Sequence, residues 1–305
     1  MRRHVFAASI AAILAFGVFA PASAKLKVVA TLAEIGALAE EIGGERVEVE
    51  VLAKGNEDPH VLPAKPSHSR RLMKADLLIA NGLQLEVGWL PLLIEGARNP
   101  RVRPGSPGYL ELGTFIEPLE VPTGAIDRSG GDVHPEGNPH FTVDPAVYPA
   151  LGEAVAERLS TLDPEGAAYY EERREHFTAH WMEALRGWRG RLGFLEGEAV
   201  VTFHQQWEYL ARTFGLRILG KIEDRPGIPP TPRHLADLES TIAADGVRWI
   251  LYSDLTYPDV PEKVAARTGC RAVRLPQSVD SREGTKTLTA WFDTLVAAFD
   301  AAKEN

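Results

Sequence analysis

Short apolar runs alternate with amphipathic ones along most of this chain, in two blocks separated by one long helical stretch. In the first block Leu26–Thr31 reads as an apolar strand. Leu32, Ile35, Leu38, Ala39 and Ile42 then recur at helical spacing until Gly43-Gly44 stops them. Val47, Val49 and Val51 alternate with Glu48 and Glu50, the period-two pattern of a strand. Pro66–Lys74 reads as a short helix, Asp76–Ala80 as a strand closed by Asn81-Gly82, and Gly88–Ala97 as another helix. From Pro100 to Pro145 the sequence is rich in Pro, Gly and turn residues, which predicts loop with one or two short strands. Ala146–Leu159 is amphipathic, and Glu165 to Arg191 reads as one helix of roughly 40 Å at 1.5 Å per residue. In the second block Ala199–Phe203, Leu216–Leu219, Trp249–Tyr252 and Ala272–Leu275 are strands. Gln205–Phe214, Arg233–Ala244, Pro261–Thr268 and Thr285–Ala302 are the helices between and after them. Alternating β and α elements bury parallel sheets between layers of helices. The expected fold class is therefore α/β: two lobes, each a parallel sheet flanked by helices, joined by a long rigid linking helix. The N-terminal lobe is placed at residues 25–163, the linking helix at 164–195 and the C-terminal lobe at 196–305.

Residues 1–24 read as a targeting segment. Arg2, Arg3 and His4 precede an apolar run from Val5 to Ala20 interrupted only by Ser9 and Gly17, and Ala22-Ser23-Ala24 supplies the small residues of a cleavage site. Basic start, short apolar run and small-residue ending are the marks of a secretory signal peptide, cleaved here after Ala24. The run is short for a membrane span of about 20 residues. No Cys follows it to accept a lipid anchor. Export to the periplasm is the expected localisation.

Composition removes several function classes. The formal charge is −9, against the basic footprint that nucleic acid or an anionic membrane surface selects. The lone Cys270 forbids an intrachain disulfide and a Cys-based zinc ribbon. The glycine fingerprints of dinucleotide and phosphate loops and the G-x-S-x-G elbow are missing.

The remaining chemistry lies in the histidines beyond the leader: His60, His68, His134, His140, His176, His180, His204 and His234. Ligands of open parallel sheets sit beyond the carboxyl ends of the strands. His204 directly follows a strand, and His60 lies in the Asn56–Pro66 loop after one. Asp280 lies in the Pro276–Glu283 loop after the last strand, and His140 sits in Gly137-Asn138-Pro139-His140 before the helical stretch. Two donors from each lobe would make a four-coordinate set of three nitrogens and one oxygen, which suits Zn(II). Any one of these histidines taken alone reads equally as a surface or capping residue.

Several segments, in order, resemble the metal-binding proteins that deliver zinc or manganese to ABC importers, the cluster A-I (cluster 9) solute-binding family. They are Asp58-Pro59-His60 with Lys65-Pro66-Ser67, Lys74-Ala75-Asp76-Leu77, Asn81-Gly82 and Leu85-Glu86. Asn138-Pro139-His140 with Asp144-Pro145 follows, then His204 with Tyr209-Leu210 and Phe214-Gly215-Leu216, then Pro232 to Leu238, Asp254 and Asp280. The resemblance implies His60, His140, His204 and Asp280 as metal ligands. It also implies a metal buried between the lobes and a non-catalytic carrier acting with a membrane permease. His rather than Glu at the third position is similar to zinc-delivering members, with Mn(II) the alternative cargo. A monomer, and a periplasmic metallochaperone as a further partner, are also implied. The chain departs from the commonest zinc pattern in lacking a long His/Asp/Glu-rich run before His140. It keeps only Asp127, Asp132, His134 and Glu136 there, and it lacks the cysteine pair of some zinc members.

The other candidates have plainer readings. His176 and His180 lie four apart on one helix face and read as solvated, His68 as a capping or surface residue, and His234 as a residue of a first helical turn. Cys270 reads as a small buried residue. Trp181, Leu185 and Trp188 stand at helical spacing and predict packing. Two competing functions remain: a secreted mononuclear zinc hydrolase using the three histidines with Glu57 or Asp280 as base, and a cell-adhesion or other surface protein. A catalytic zinc keeps an open position, whereas a carrier can close its shell with protein ligands.

Overall fold

The computed structural model describes residues 24–124 and 131–304. The targeting segment up to Ser23, and Asp127 of the loop before His140, lie outside the described residues. The first sheet contains β1 (Leu26–Leu32), β2 (Val47–Ala53), β3 (Leu77–Ala80) and β4 (Tyr109–Glu111), all parallel, in the order β2-β1-β3-β4. Three helices provide its crossovers: α1 (Ala33–Gly43), α2 (Pro66–Lys74) and α3 (Leu90–Ala97). The central strands β1 and β3 are apolar because helices cover both faces, and Leu77, Leu78 and Ile79 are fully buried. At the edge, β2 keeps Glu48 and Glu50 on its wetter side, which is why its sequence alternates.

Two helices follow, α4 (Tyr148–Leu162) and α5 (Ala167–Leu192), and the 26 residues of α5 are flanked by 3-10 turns at Pro164–Gly166 and Gly193–Leu195. The second sheet repeats the first. Its strands β5 (Ala199–Thr202), β6 (Arg217–Lys221), β7 (Trp249–Ser253) and β8 (Arg271–Leu275) are parallel in the order β6-β5-β7-β8. The helices α6 (Glu208–Phe214), α7 (Pro232–Asp245), α8 (Asp259–Thr268) and α9 (Leu288–Glu304) complete this half. Proline opens both α2 and α7, where its missing N–H removes no helical bond. Among the described residues no helix is long and apolar enough to cross a membrane.

The α5 stripe Tyr170, Phe177, Trp181, Leu185, Trp188 and Leu192 is buried at successive spacings of three, four and seven. The Trp181 ring packs against Tyr148 of α4 at 4.7 Å and Phe292 of α9 at 5.4 Å between centroids. Its Nε1–H donates to the Pro145 carbonyl at 2.6 Å, and Trp188 Nε1–H donates to Asp293 at 2.8 Å. One apolar core thus runs from β1 through α5 to β8 and α9, beside a smaller core of Val201, Ile222, Leu238, Ile242 and Val264. Burying a large side chain is worth about 1.5–3 kcal/mol, so this aromatic block fixes the two sheets on one support.

Three local expectations change. Residues 203–207 form a turn rather than the end of a strand and the start of a helix, because the Gln206 N–H folds back to the His204 carbonyl. The last helix begins at Leu288 rather than Thr285, whose side chain and carbonyl are used by the preceding loop. His68 is buried, not a surface cap: the packing of α2 against α3 leaves its Nδ1 covered and without a partner. Trp181→Ala should lower unfolding free energy by about 3–5 kcal/mol, since an aromatic-to-alanine cavity here has no flexible neighbour to fill it. Denaturant titration followed by circular dichroism checks this; a loss under about 1 kcal/mol would show that α5 is not the support described.

Candidate metal centre

Each half of the molecule delivers imidazoles to the mouth between the two sheets. His60 follows β2, and its loop is shaped by two local bonds. Its own N–H donates to Asp58 Oδ1 at 2.9 Å, and the buried Trp89 Nε1–H holds the Pro59 carbonyl at 2.7 Å. His140 is placed from behind. Its N–H donates to Asn138 Oδ1 at 2.9 Å, and the buried Asn81, just past β3, donates Nδ2–H to the Pro139 carbonyl at 3.0 Å. The turn bearing Asn81 is held in turn by Glu86, whose carboxylate accepts from the N–H groups of Asn81 and Gly82 at 2.7 and 3.1 Å.

The second half grips the same segment. Tyr209 on α6 donates to the Asn138 carbonyl at 2.7 Å and accepts from the Leu119 N–H at 2.9 Å. The fully buried Asp144 accepts from Thr213 and Arg212 of α6 at 2.6 and 3.1 Å. His204 lies two residues beyond β5 with its Nδ1 2.7 Å from Glu223 Oε2. The Glu223 N–H in turn donates to the Phe203 carbonyl, next to His204. A carboxylate on Nδ1 fixes the tautomer that leaves the Nε2 lone pair free, the usual support of a metal-binding imidazole.

One donor atom from each of His60, His140 and His204 lies within 4.8 Å of the others, and His60 Nε2 approaches His140 Nε2 to 3.3 Å. The three rings line a cleft of about 400 Å³. Three neutral nitrogens converging at this range form a face on which a Zn(II)-sized ion can sit at its usual N distance of about 2.0–2.1 Å. Among the described residues this is the one set of three or more His, Cys, Asp or Glu donors that converges so closely.

Asp280 is not in that set. It is exposed, with a left-handed backbone (φ 58°) and its N–H bonded to the Thr285 carbonyl. Its loop is pinned elsewhere: Ser281 and Arg282 both donate to Asp254, at 3.1 and 3.0 Å, and Ser278 donates to the buried Glu34. Gly55 belongs to that contact, because a Cβ there would stand 1.9 Å from the Val279 carbonyl oxygen. His176 and His180 lie side by side, tilted by 48°, on the exposed face of α5 with no third donor joining them, and His180 Nδ1 is taken by the His176 carbonyl at 2.8 Å. His234 Nε2 is engaged by the Lys221 carbonyl at 2.8 Å, and Cys270 donates to the Val247 carbonyl. Burial pushes the Cys270 thiol pKa up, away from reactivity.

Three contributors were given no role at the site from the sequence, although Asn81 and His134 were named there. Asn81 and Glu223 each sit within two residues of a strand's carboxyl end, so the placement rule that found His204 covers them as well. His134 packs on His60 at 5.3 Å between ring centroids, and nothing local in the sequence marks it.

Residues 28–302 match the family model of the zinc-uptake complex component A, periplasmic. The chain belongs to this family. Similar curated proteins include the high-affinity zinc uptake system protein ZnuA of Bacillus subtilis, 22% identical over 289 residues, covering 92% of this chain and 88% of that protein. The manganese ABC transporter substrate-binding lipoprotein PsaA of Streptococcus pneumoniae is 22% identical over 197 residues, which is 63% of this chain. The chain spans 60% of the length of that relative. In fold, a Mn-bound periplasmic metal-binding protein from Candidatus Liberibacter asiaticus aligns with TM-score 0.75 at 19% identity, over 91% of this chain and 100% of that one. A ZnuA crystal structure aligns with TM-score 0.72 at 23% identity, over 92% and 98%. The family is one of solute-binding transport proteins.

The electrostatics of the site favour uncharged imidazoles. Burial pushes His140 well below its ordinary pKa, and the neighbouring His60, His204 and His134 add repulsion to any proton placed there. Burial also lowers His60, with Asp58 opposing and His204 reinforcing the shift, and burial with the same neighbours brings His134 down to about 4. In the unfolded chain these groups titrate near 6.5. Below that value the unfolded state binds protons that the folded site refuses, so stability falls as pH drops from about 6.5 toward 4 and is unaffected above about 7.5. Thermal melts of the metal-free protein should show a plateau above neutrality and a falling Tm below pH 6.5. A His140→Gln variant should show a shallower fall, and equal slopes for the two proteins would contradict the assignment.

Proposed function

We propose that the protein is a periplasmic carrier that takes up Zn(II) between its two halves and delivers it to the membrane permease of an ABC importer. His60, His140 and His204 are the metal ligands in this reading, and Asp280 is the carboxylate that joins them when its loop moves onto the loaded site. The observation that carries it is the convergence of three supported imidazoles, drawn from both sheets, within 4.8 Å. Membership of the zinc-uptake family and the names of the relatives support transport rather than turnover. Nitrogen-rich donation favours zinc over manganese, since Mn(II) is served better by carboxylate and water oxygens and stands lower in the affinity order of divalent ions. Manganese remains the competing cargo through the manganese-transport relatives. Against a hydrolase, Glu57 is engaged by the Lys54 N–H at 3.0 Å and by Lys65 at 3.7 Å, and neither it nor Asp280 belongs to the converging set, so no base is placed beside a bound water. The carrier is a monomer in this reading, released from its leader after Ala24 and loaded by free metal or by a periplasmic metallochaperone.

Metal-free protein should bind one Zn(II) per chain, more tightly than Mn(II), in competition against a chromophoric chelator. At a thousand times Kd the bound ion adds about 4 kcal/mol to stability. For a chain of this size that raises Tm by on the order of 10 °C. His140→Ala should weaken binding by orders of magnitude, because water replaces a buried nitrogen. A melting curve indifferent to zinc, or an unchanged affinity in His140→Ala, would overturn the carrier reading.

A further inference from the structure

We propose that His134 is a fourth nitrogen ligand of the same metal, completing an all-imidazole shell in the conformation in which Asp280 stands apart. This rests on the metal-carrier reading above and adds to it a donor from the segment before His140.

His134 combines the features of a ligand awaiting an ion. Its ring lies against His60 at 5.3 Å between centroids, close to the 5.1 Å that separates His60 from His140. Its Nε2 is buried and has no hydrogen-bond partner. The ring also meets the Gln84 backbone, and Nε2 is the nitrogen left without a partner. A buried polar nitrogen without a partner forfeits its hydration, and a bound cation is a natural recipient of its lone pair.

The segment is built to hold the ring there. Gln84 Nε2–H donates to Glu136 Oε1 at 3.0 Å, the Gly137 N–H donates to the His134 carbonyl at 3.1 Å, and the Asp132 N–H donates to the Pro226 carbonyl at 3.0 Å. The first bond ties the segment to the first half, the second closes a turn within it and the third ties it to the second half, so His134 sits on a segment that bridges the mouth in which the other three rings lie. Gly131, with φ +88°, makes the last contact possible, because a Cβ there would lie 2.2 Å from the Pro226 carbonyl oxygen. His134 is not among the donors that converge within 4.8 Å, so joining them takes an advance of the ring toward His60. Four imidazoles are an acceptable tetrahedral set for zinc and a poor one for manganese, so this ligand would also sharpen selection between the two.

The test compares the parent, His134→Ala, Asp280→Ala and His140→Ala, each loaded with one equivalent of Zn(II). Chelator competition and X-ray absorption at the zinc edge are the readouts, the latter counting coordinated imidazoles. The proposal expects four imidazoles in the parent and three in His134→Ala, with affinity lower by about tenfold or more. It also expects four in Asp280→Ala. Three imidazoles in both the parent and His134→Ala would overturn it, even if affinity fell, since His134 would then only pack on His60. Failure of the carrier reading looks different: His140→Ala would bind zinc as the parent does.

Discussion

Three imidazoles can share a space under 5 Å across only while they are uncharged, and the rest of the structure is arranged around that condition. A protonated ring at His140 would face His60, His204 and His134 without a carboxylate among its influences, in a place burial has already made unfavourable for charge. His60 and His140 are therefore held neutral by desolvation and by the imidazoles beside them. The same burial that lowers the pKa values of His60 and His140 leaves their donor atoms within 4.8 Å of the one from His204. A divalent cation would supply there the charge that the protein omits.

Behind the imidazoles, three buried carboxyl groups accept hydrogen bonds from the segments that carry or flank the rings. Glu86 holds the Asn81-Gly82 turn, which holds Pro139. Asp144 receives Thr213 and Arg212 from α6. Glu34 receives Thr142, two residues past His140, and Ser278, two residues before Asp280. Burial raises the pKa of Glu34 and of Glu86, and hydrogen bonds from hydroxyl and backbone N–H groups offset that shift in part. A buried acid of this kind is strongly coupled to its donors, because an unpaired partner in the interior costs more than a bond contributes. The rings are thus aimed by contacts one layer away.

Much of this was legible in the sequence because the two periodicities are clean. Apolar runs of four to seven residues followed by amphipathic helices gave parallel sheets, and strand ends located His60 and His204. His140 was less visible to periodicity, since it lies between a stretch rich in Pro and Gly and a 3-10 turn. There it was the neighbouring Asn138-Pro139 and Asp144-Pro145, by their resemblance to a known family, that marked it. What the sequence could not reveal is how non-local bonds set the outer donors. Asp280 follows a strand as a ligand should, yet Asp254, 26 positions earlier, takes Ser281 and Arg282 and holds that loop at the surface. His134 sits in a stretch without period, and only the bonds to Gln84 and Pro226, distant in sequence, bring it to His60.

The doubled sheet order explains why a single ion can report on both halves. In β2-β1-β3-β4 and β6-β5-β7-β8 the chain reverses direction of travel between the two central strands, and crevices open there at the carboxyl ends. Facing those two crevices across the aromatic block of α5 and α9 makes one cavity out of two half-sites, neither of which has enough donors alone. From the first half come His60 and the His140 segment, and from the second His204 with Glu223. Because Tyr209, Arg212 and Thr213 of α6 also grip the His140 segment, moving the second half would move the bonds that position His140, and not only His204. Affinity and the relative placement of the halves are therefore one thermodynamic quantity seen from two sides. A surface that favours one placement of the halves must change metal affinity by the same free energy with which metal changes its own binding to that surface.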